Sequence, residues 1–179
     1  LTQLLERDAR RPRQRLAIVA LAAGLVLAPL SLAQATSVVG GHVFTHAIFI
    51  DSHTKISAPF GKVQNEWEDK AWWHSGIDIA AKKNTPIHSP ADAKVIMAMK
   101  KEEYGYTVDL LLEDGRKMRF AQMSKILVEH GQKIKAGTVI GKVGKSGTSA
   151  TGPHLHLEVF KDGDHIDPAS VKGLVLYKG

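Results

Sequence analysis

The chain has 179 residues, of which 44% are hydrophobic and 23% charged, a balance that is ordinary for a folded globular protein and argues against wholesale disorder. It has no cysteine, which excludes disulfides, thiol nucleophiles and cysteine-based zinc sites, so a transition metal must be held by carboxylates and by some of the nine histidines. The net charge of +6 includes a basic cluster in residues 1–15, and the remainder is too small and too dispersed to indicate a nucleic-acid surface.

The amino-terminal segment joins the basic residues 1–15 to an uncharged apolar stretch, residues 16–35. One interpretation is a secretory signal, because Ala33-Gln34-Ala35 matches an A-x-A cleavage site. The other is a transmembrane anchor, since the stretch is long enough to cross a membrane once. Fifteen residues before the apolar stretch are also more than a signal peptide usually has, which would fit an anchor that follows an upstream domain of a larger protein. Both interpretations keep residues 1–15 on the cytoplasmic side and place residues 36–179 in the cell envelope, outside the cytoplasm.

After residue 35 the chain alternates short β-rich runs with Gly and Pro, and no sustained helical pattern follows. Residues 36–55 are predicted to be a linker and lead-in strand, and residues 169–179 a carboxy-terminal tail. Strands are predicted over residues 43–50, 77–80, 93–99, 107–112, 117–121, 139–143 and 154–160. The turn Glu113-Asp114-Gly115 predicts a hairpin, and residues 124–129 form a helical turn at most. The spacing predicts an all-β fold, a two-sheet antiparallel sandwich or barrel-sandwich hybrid.

The stretch 131–141 has glycines at both ends and at residue 137, with Ile and Val between them. This rhythm is typical of a compact hairpin in a barrel-sandwich fold, and biotinyl and lipoyl carrier domains share it. A carrier needs an exposed lysine at a tight turn, for which Lys100 and Lys101 are only a superficial match. The structural hairpin is therefore the favoured interpretation.

Two short segments carry candidate metal ligands, and the first is His154-Leu155-His156. Because strand residues two apart share a face and lie about 6.6 Å apart, both imidazoles can reach one small volume, one as ligand and one beside it. Leu155 and Leu157 then face the opposite side and pack in a core. Glu158 returns to the histidine face, where we predict that it orients an imidazole.

The second segment contains His74 and Asp78, which would lie about 13 Å apart on a straight strand, too far to share an ion. Gly76 permits a bend between them, so the pair can form a metal site only if the chain turns there. Two histidines and one carboxylate form a ligand set of catalytic zinc sites, which leave the fourth position to water. Five further histidines are scattered and are predicted to be surface residues: His46, His53, His88, His130 and His165.

These segments resemble the LytM-like (M23, lysostaphin-type) peptidases. Residues 73–81 with Asn84-Thr85-Pro86-Ile87 look like the first family motif, and residues 131–141 with 147–159 look like its closing half. Residues 57–61 are similar to the segment that opens the family's domain. The resemblance covers residues 56–168, which we therefore predict to be the peptidase domain.

The resemblance implies a zinc endopeptidase that cuts peptide cross-links of bacterial peptidoglycan. It implies that His74, Asp78 and His156 bind Zn²⁺ and that His154 is a catalytic histidine, which assists proton movement and stabilises the oxyanion. A second catalytic histidine is usual in the family, and Gln122 stands where it is expected. Glutamine can donate a hydrogen bond but cannot exchange a proton near neutral pH, so a rate loss of about 10²–10⁴ is expected if a proton must be exchanged there.

Three functions follow for the exported part. The complete ligand set favours an active wall endopeptidase, whose partners would be peptidoglycan peptides and, through an uncleaved segment 16–35, the membrane. Gln122 favours a zinc-retaining wall-binding or regulatory module that controls another wall enzyme. A carrier or purely structural domain explains stretch 131–141 but leaves the histidines and Asp78 unexplained.

Overall fold

The computed structural model describes residues 43–50, 53–65 and 70–178. These residues form short antiparallel strands and one 3-10 helix, Pro168–Ser170. In chain order the strands are β1 (Lys55–Ala58), β2 (Gly61–Asn65), β3 (Lys70–His74), β4 (Ile77–Ala80), β5 (Pro86–His88), β6 (Ala93–Lys101), β7 (Gly105–Leu112), β8 (Lys117–Met123), β9 (Lys125–Ile126), β10 (Lys133–Ile134), β11 (Val139–Lys142), β12 (His154–Lys161) and β13 (Asp164–Ile166).

The described strands make three sheets, where two were predicted. The largest has the order β1-β4-β12-β8-β7-β6-β10, and β13 pairs with residues 159–161 at the end of β12. A second sheet has the order β5-β11-β9, and β2 with β3 forms a separate two-stranded ribbon. Every paired strand is antiparallel, which confirms the predicted all-β antiparallel class.

The central strands of the large sheet supply most of the core. Side chains such as Leu110, Phe120 and Leu157 are completely buried, and β12 is buried along nearly its whole length. The predicted hairpin between β7 and β8 is confirmed, and Gly115 adopts φ +85° at its turn, a conformation that glycine accepts without steric cost. Burial on both faces explains why β12 is apolar except where its histidines and Glu158 occur.

The prediction of a strand over residues 43–50 is wrong. Three consecutive side chains, Ala47, Ile48 and Phe49, are buried, which does not fit the alternation of a half-buried strand. Their backbone bonds also go to different partners, since His46 N donates to Pro90 O while Phe49 N donates to Leu176 O. The segment is thus an irregular, buried lead-in with one isolated bridge at Phe49.

Two further local predictions are corrected. The helical turn predicted at 124–129 does not form, and residues 125–126 of this segment are instead strand β9, whose backbone pairs with β11. The hairpin predicted over 131–141 does not form, because β10 pairs with β6 in the large sheet whereas β11 pairs with β5 and β9 in the smaller one. The glycine-rich stretch therefore crosses from one sheet to another, turning at Gly137, where φ is +83°.

Both flanks of the central segment 56–168 contribute to the core. Phe44, Ile48 and Phe49 pack in it from the amino-terminal side, and Val171 packs in it from the carboxy-terminal side. No helix in the described part of the chain is long and apolar enough to span a membrane. The signal or anchor predicted at residues 16–35 lies outside the described residues.

Candidate metal centre

Two neighbouring strands and one bend bring the predicted metal donors together. Strand β3 ends at His74, the chain bends at residues 75–76, and Asp78 follows in β4. Strand β12 pairs with β4 so that His156 lies opposite Asp78. A Cβ at residue 76 would lie 2.2 Å from the carbonyl oxygen of Leu157, so only glycine fits, and the bend predicted there is confirmed.

The three donor atoms lie within hydrogen-bonding distance of one another. His74 Nε2 is 3.2 Å from His156 Nδ1 and 3.3 Å from Asp78 Oδ1. The His156 Nδ1 to Asp78 Oδ1 distance is 2.8 Å. Donors with zinc bonds of roughly 2.0–2.1 Å in a tetrahedron lie about 3.3 Å apart, so the spacing fits one small cation.

Each imidazole is held through its other nitrogen. His74 Nδ1 donates to the carbonyl oxygen of Pro59 at 2.7 Å, and His156 Nε2 donates to Glu158 Oε1 at 3.2 Å. These bonds select the tautomers in which His74 Nε2 and His156 Nδ1 present their lone pairs to the shared volume. With the Asp78 carboxylate they make a site for one divalent transition metal, with a coordination position left over for a ligand.

A row of charges runs behind the metal donors across three strands. Asp109, Arg119 and Glu158 lie opposite one another on β7, β8 and β12. Arg119 binds Asp109 through two nitrogens, each at 2.9 Å, and reaches Glu158 Oε2 at 3.1 Å through a third. Glu158 is completely buried and accepts two further bonds, from Ser75 and Tyr104. The carboxylate that orients His156 is therefore fixed in place.

The electrostatics of the site keep its carboxyl groups ionised. Burial alone would raise the pKa of Asp78, but hydrogen bonds with His156 and His74 outweigh burial and hold it well below its usual range. Burial would likewise raise the pKa of Glu158, but hydrogen bonds from His156, Ser75 and Tyr104 outweigh it and lower this pKa to about 2. Burial would lower the pKa of His156, yet its bonds to Asp78 and Glu158 raise it to about 9 in the metal-free site.

His154 lies beside the three donors and outside their triangle. Its Nδ1 donates to the carbonyl oxygen of Gly152 at 2.8 Å, which directs Nε2 toward Asp78 Oδ1, 3.7 Å away. It borders a groove of about 780 Å³ that also contains the metal donors, Tyr104 and Gln122. A basic nitrogen is thus held next to the metal position at the floor of an open groove.

Gln122 lines the same groove, but its amide is fully engaged elsewhere. Nε2 donates to the Glu103 carbonyl oxygen at 2.9 Å and to Ser149 Oγ at 3.1 Å, while Oε1 accepts from Gly147 N at 2.7 Å. The side chain is buried, and its backbone adopts φ +61°, a left-handed conformation that costs a non-glycine residue roughly 1 kcal/mol or more. Gln122 therefore ties together two loops that form the groove wall, which we call the Gln122 clamp.

The five histidines predicted to be surface residues lie outside the donor group, but the prediction is wrong for His88. His88 is 9% exposed, and its ring stacks on half-buried His46 with centroids 5.5 Å apart. Burial, followed by the charge of His46, lowers the pKa of His88. His165 is exposed, yet its Nε2 approaches Glu158 Oε2 at 3.6 Å.

Sequence patterns had missed the supporting groups of the site. Asp109 interrupts the apolar run of β7, and Arg119 lies between Met118 and Phe120 of β8, a signal that would have singled them out. Their partnership with Glu158 depends on the register of three strands, which no local pattern contains.

Comparisons with known proteins place this geometry in a family. The model of peptidase family M23 matches residues 73–168, more than half of the chain. The DD-carboxypeptidase/endopeptidase Mpg of Neisseria meningitidis is 36% identical over 123 residues, which are 66% of this chain and 27% of Mpg. The chain thus spans about a quarter of that relative's length.

Two solved structures are also similar. A zinc-containing peptidase from Vibrio cholerae shares 30% identity with a TM-score of 0.62, over 69% of this chain and 38% of its own. SpoIIQ, from the SpoIIQ–SpoIIIAH pore-forming complex, shares 26% identity with a TM-score of 0.61, over 72% of this chain and 90% of the matched one. The family match and the donor geometry agree, and this chain belongs to peptidase family M23.

Proposed function

We propose that this chain is a zinc metalloendopeptidase that hydrolyses peptide cross-links of peptidoglycan. The observation that supports it is the convergence of His74 Nε2, Asp78 Oδ1 and His156 Nδ1, with the other nitrogen of each imidazole already bonded. Relatives named for peptidoglycan endopeptidase activity support the substrate class. Such a substrate places residues 36–179 in the cell envelope, on the extracytoplasmic side.

In this mechanism, zinc held by His74, Asp78 and His156 would supply the Lewis acidity that polarises a scissile carbonyl and activates water. Glu158 keeps His156 in the tautomer that binds the metal, and Arg119 and Tyr104 hold Glu158. His154 Nε2 is the group that accepts or returns a proton beside the metal, because its Nδ1 is committed to Gly152 O. The open groove lets a polymer lie across these residues.

The proposal is tested on the purified full chain with metal analysis and a peptidoglycan release assay. We expect about one zinc per chain and fragment release that stops with a chelator and returns with added zinc. His156→Ala should lose both the zinc and the release, whereas His130→Ala, at an exposed histidine outside the site, should keep both. Release that persists in His156→Ala would rule out the metal mechanism.

A second function is favoured by Gln122. Because both amide hydrogens and the amide oxygen of Gln122 are bonded in the groove wall, no group at this position is free to relay a proton. The chain would then retain zinc, bind wall peptide and regulate another wall hydrolase without turnover. SpoIIQ, described as part of a pore-forming complex, illustrates a related fold in an assembly.

Gln122→His discriminates between the two functions. Wild-type release that depends on zinc supports the endopeptidase. Zinc binding without release in the wild type, together with release by Gln122→His, supports the regulatory module. Zinc content must be equal in both proteins, so that a change in activity is not a change in metal loading.

A further inference from the structure

Two tryptophan side chains are exposed at the groove that contains the metal donors. Trp72 is 49% exposed and Trp73 is 67% exposed, and both border the groove. Tryptophan is usually highly buried, because its large apolar surface gains more than any other side chain from leaving water. Two neighbouring exposed indoles beside a functional groove therefore indicate a ligand surface.

The ribbon of β2 and β3 fixes the position of these rings. Trp73 directly precedes the metal donor His74 in β3 and lies opposite Lys62 of β2. Phe60 packs on Trp73 with ring centroids 5.6 Å apart and an interplanar angle of 77°. The edge-to-face contact holds the indole without covering it, so a ring face is available to a ligand that reaches the metal donors.

The chemistry of the groove wall selects the kind of ligand. Among its described lining residues there is no lysine or arginine, and the hydroxyl groups of Ser57, Ser149 and Thr151 are present. Lys62, which lies opposite Trp73 on the ribbon, does not line the groove. A neutral pyranose ring offers a C–H face for stacking on an indole and hydroxyl or acetamido groups for hydrogen bonds.

We propose that Trp73 is the stacking ring of a saccharide subsite, the tryptophan platform, which binds a neutral N-acetylhexosamine ring of the glycan strand. Trp72, the preceding residue of the strand, borders the groove but projects from the other face of the ribbon. The inference rests on the proposed function, since it adds a sugar contact to the recognition of the same wall substrate. Stacking of the glycan beside His74 presents the attached peptide to the metal donors. The platform thereby directs the groove toward peptides that are joined to glycan and away from free peptides.

The test measures binding of a soluble N-acetylglucosamine tetramer to the zinc-loaded full chain by isothermal titration. We expect Trp73→Ala to weaken binding roughly tenfold and Trp73→Phe to recover part of the loss. Tyr106→Ala is the matched control, because Tyr106 is an exposed aromatic residue that does not line the groove, and its binding should equal wild type. Zinc content should be the same in all four proteins.

Three results would overturn the saccharide subsite: no binding of the tetramer by wild type, equal weakening by Tyr106→Ala, or weakening by Trp73→Ala only for a sugar-free stem peptide. Tetramer binding should survive in His156→Ala, because the platform does not need the metal. Binding without peptidoglycan hydrolysis would therefore refute the proposed enzyme and support the platform. Zinc-dependent hydrolysis without tetramer binding would support the proposed enzyme and refute the tryptophan platform.

Discussion

The Gln122 clamp provides a prediction whose size follows from the structure. Its amide joins the turn between β6 and β7, at Glu103, to the loop before β12, at Gly147 and Ser149. Other bonds join the same loops, including Thr148 N to Glu102 O at 3.1 Å. Replacing Gln122 with alanine removes the central contact and leaves the peripheral bonds between the loops.

The expected loss of stability is about 3 kcal/mol, since each of three hydrogen bonds contributes about 1 kcal/mol net. No further penalty is added, because water can reach the half-buried Gly147 and because Ser149 Oγ still donates to Glu103 O at 3.0 Å. For a protein of this size, such a loss corresponds to a fall in Tm of about 6–12 °C.

Thermal unfolding followed by circular dichroism measures this effect. Gln64→Ala, which truncates an exposed glutamine on β2, is the matched control and should change stability by no more than about 0.5 kcal/mol. Ser149→Ala removes a smaller part of the clamp, so its Tm should fall between those of the two glutamine variants. A Tm for Gln122→Ala equal to that of the Gln64 control would refute the clamp.

Three other predictions concern protons and the support of the metal. Zinc uptake at pH 7 should release about one proton, seen by titration calorimetry in buffers of different ionisation enthalpy, because the pKa of metal-free His156 is about 9 and the metal must displace its proton. The pKa of His88 lies below the ordinary value of 6.5, so the folded state gains stability from neutral His88 above pH 6.5 and loses it as the pH falls. Acidification from pH 7 to 5 should therefore lower the Tm of wild type more than the Tm of His88→Asn. Glu158→Gln keeps an acceptor for His156 but loses the charge facing Arg119, and chelator competition should show zinc affinity lower by about 10–100-fold with unchanged stoichiometry.

Local sequence patterns predicted the parts of the fold that depend on local chemistry. Strands with clear alternation or an apolar run, such as β6, β7 and β12, and the turn at Gly115 were all predicted. The lead-in at 43–50 was mistaken for a strand because its apolar residues suit a strand equally well. Its actual conformation is decided by partners far along the chain, Pro90 and Leu176.

In the metal centre, too, some features follow from local sequence and others depend on residues distant in the chain. The candidate donors could be predicted because histidine and aspartate are rare in buried strands and because Gly76 permits a bend between His74 and Asp78, whereas the choice of His156 rather than His154 as the ligand is implied only by the family resemblance. The position of Gln122 could be predicted from the motif, but its hydrogen bonds could not. They join three segments that meet only in the folded chain, so the side chain had been considered only as a substitute for a catalytic histidine.

The separation between metal donors and groove wall bears on what the chain can do. His74, Asp78 and His156 are anchored in or next to the large sheet, and their orientation depends on Pro59 O and the buried Glu158. The wall opposite depends on loops tied by Gln122. Substitutions of the Gln122 side chain should therefore alter substrate turnover while the proposed donors keep their contacts, since the link to Tyr104, which binds Glu158, runs through the Gln122 backbone N and not through the side chain. If the chain binds zinc at these donors as proposed, it can keep the metal while losing or regaining activity, so zinc content alone cannot distinguish the endopeptidase from the regulatory module, whereas zinc-dependent release of wall fragments can.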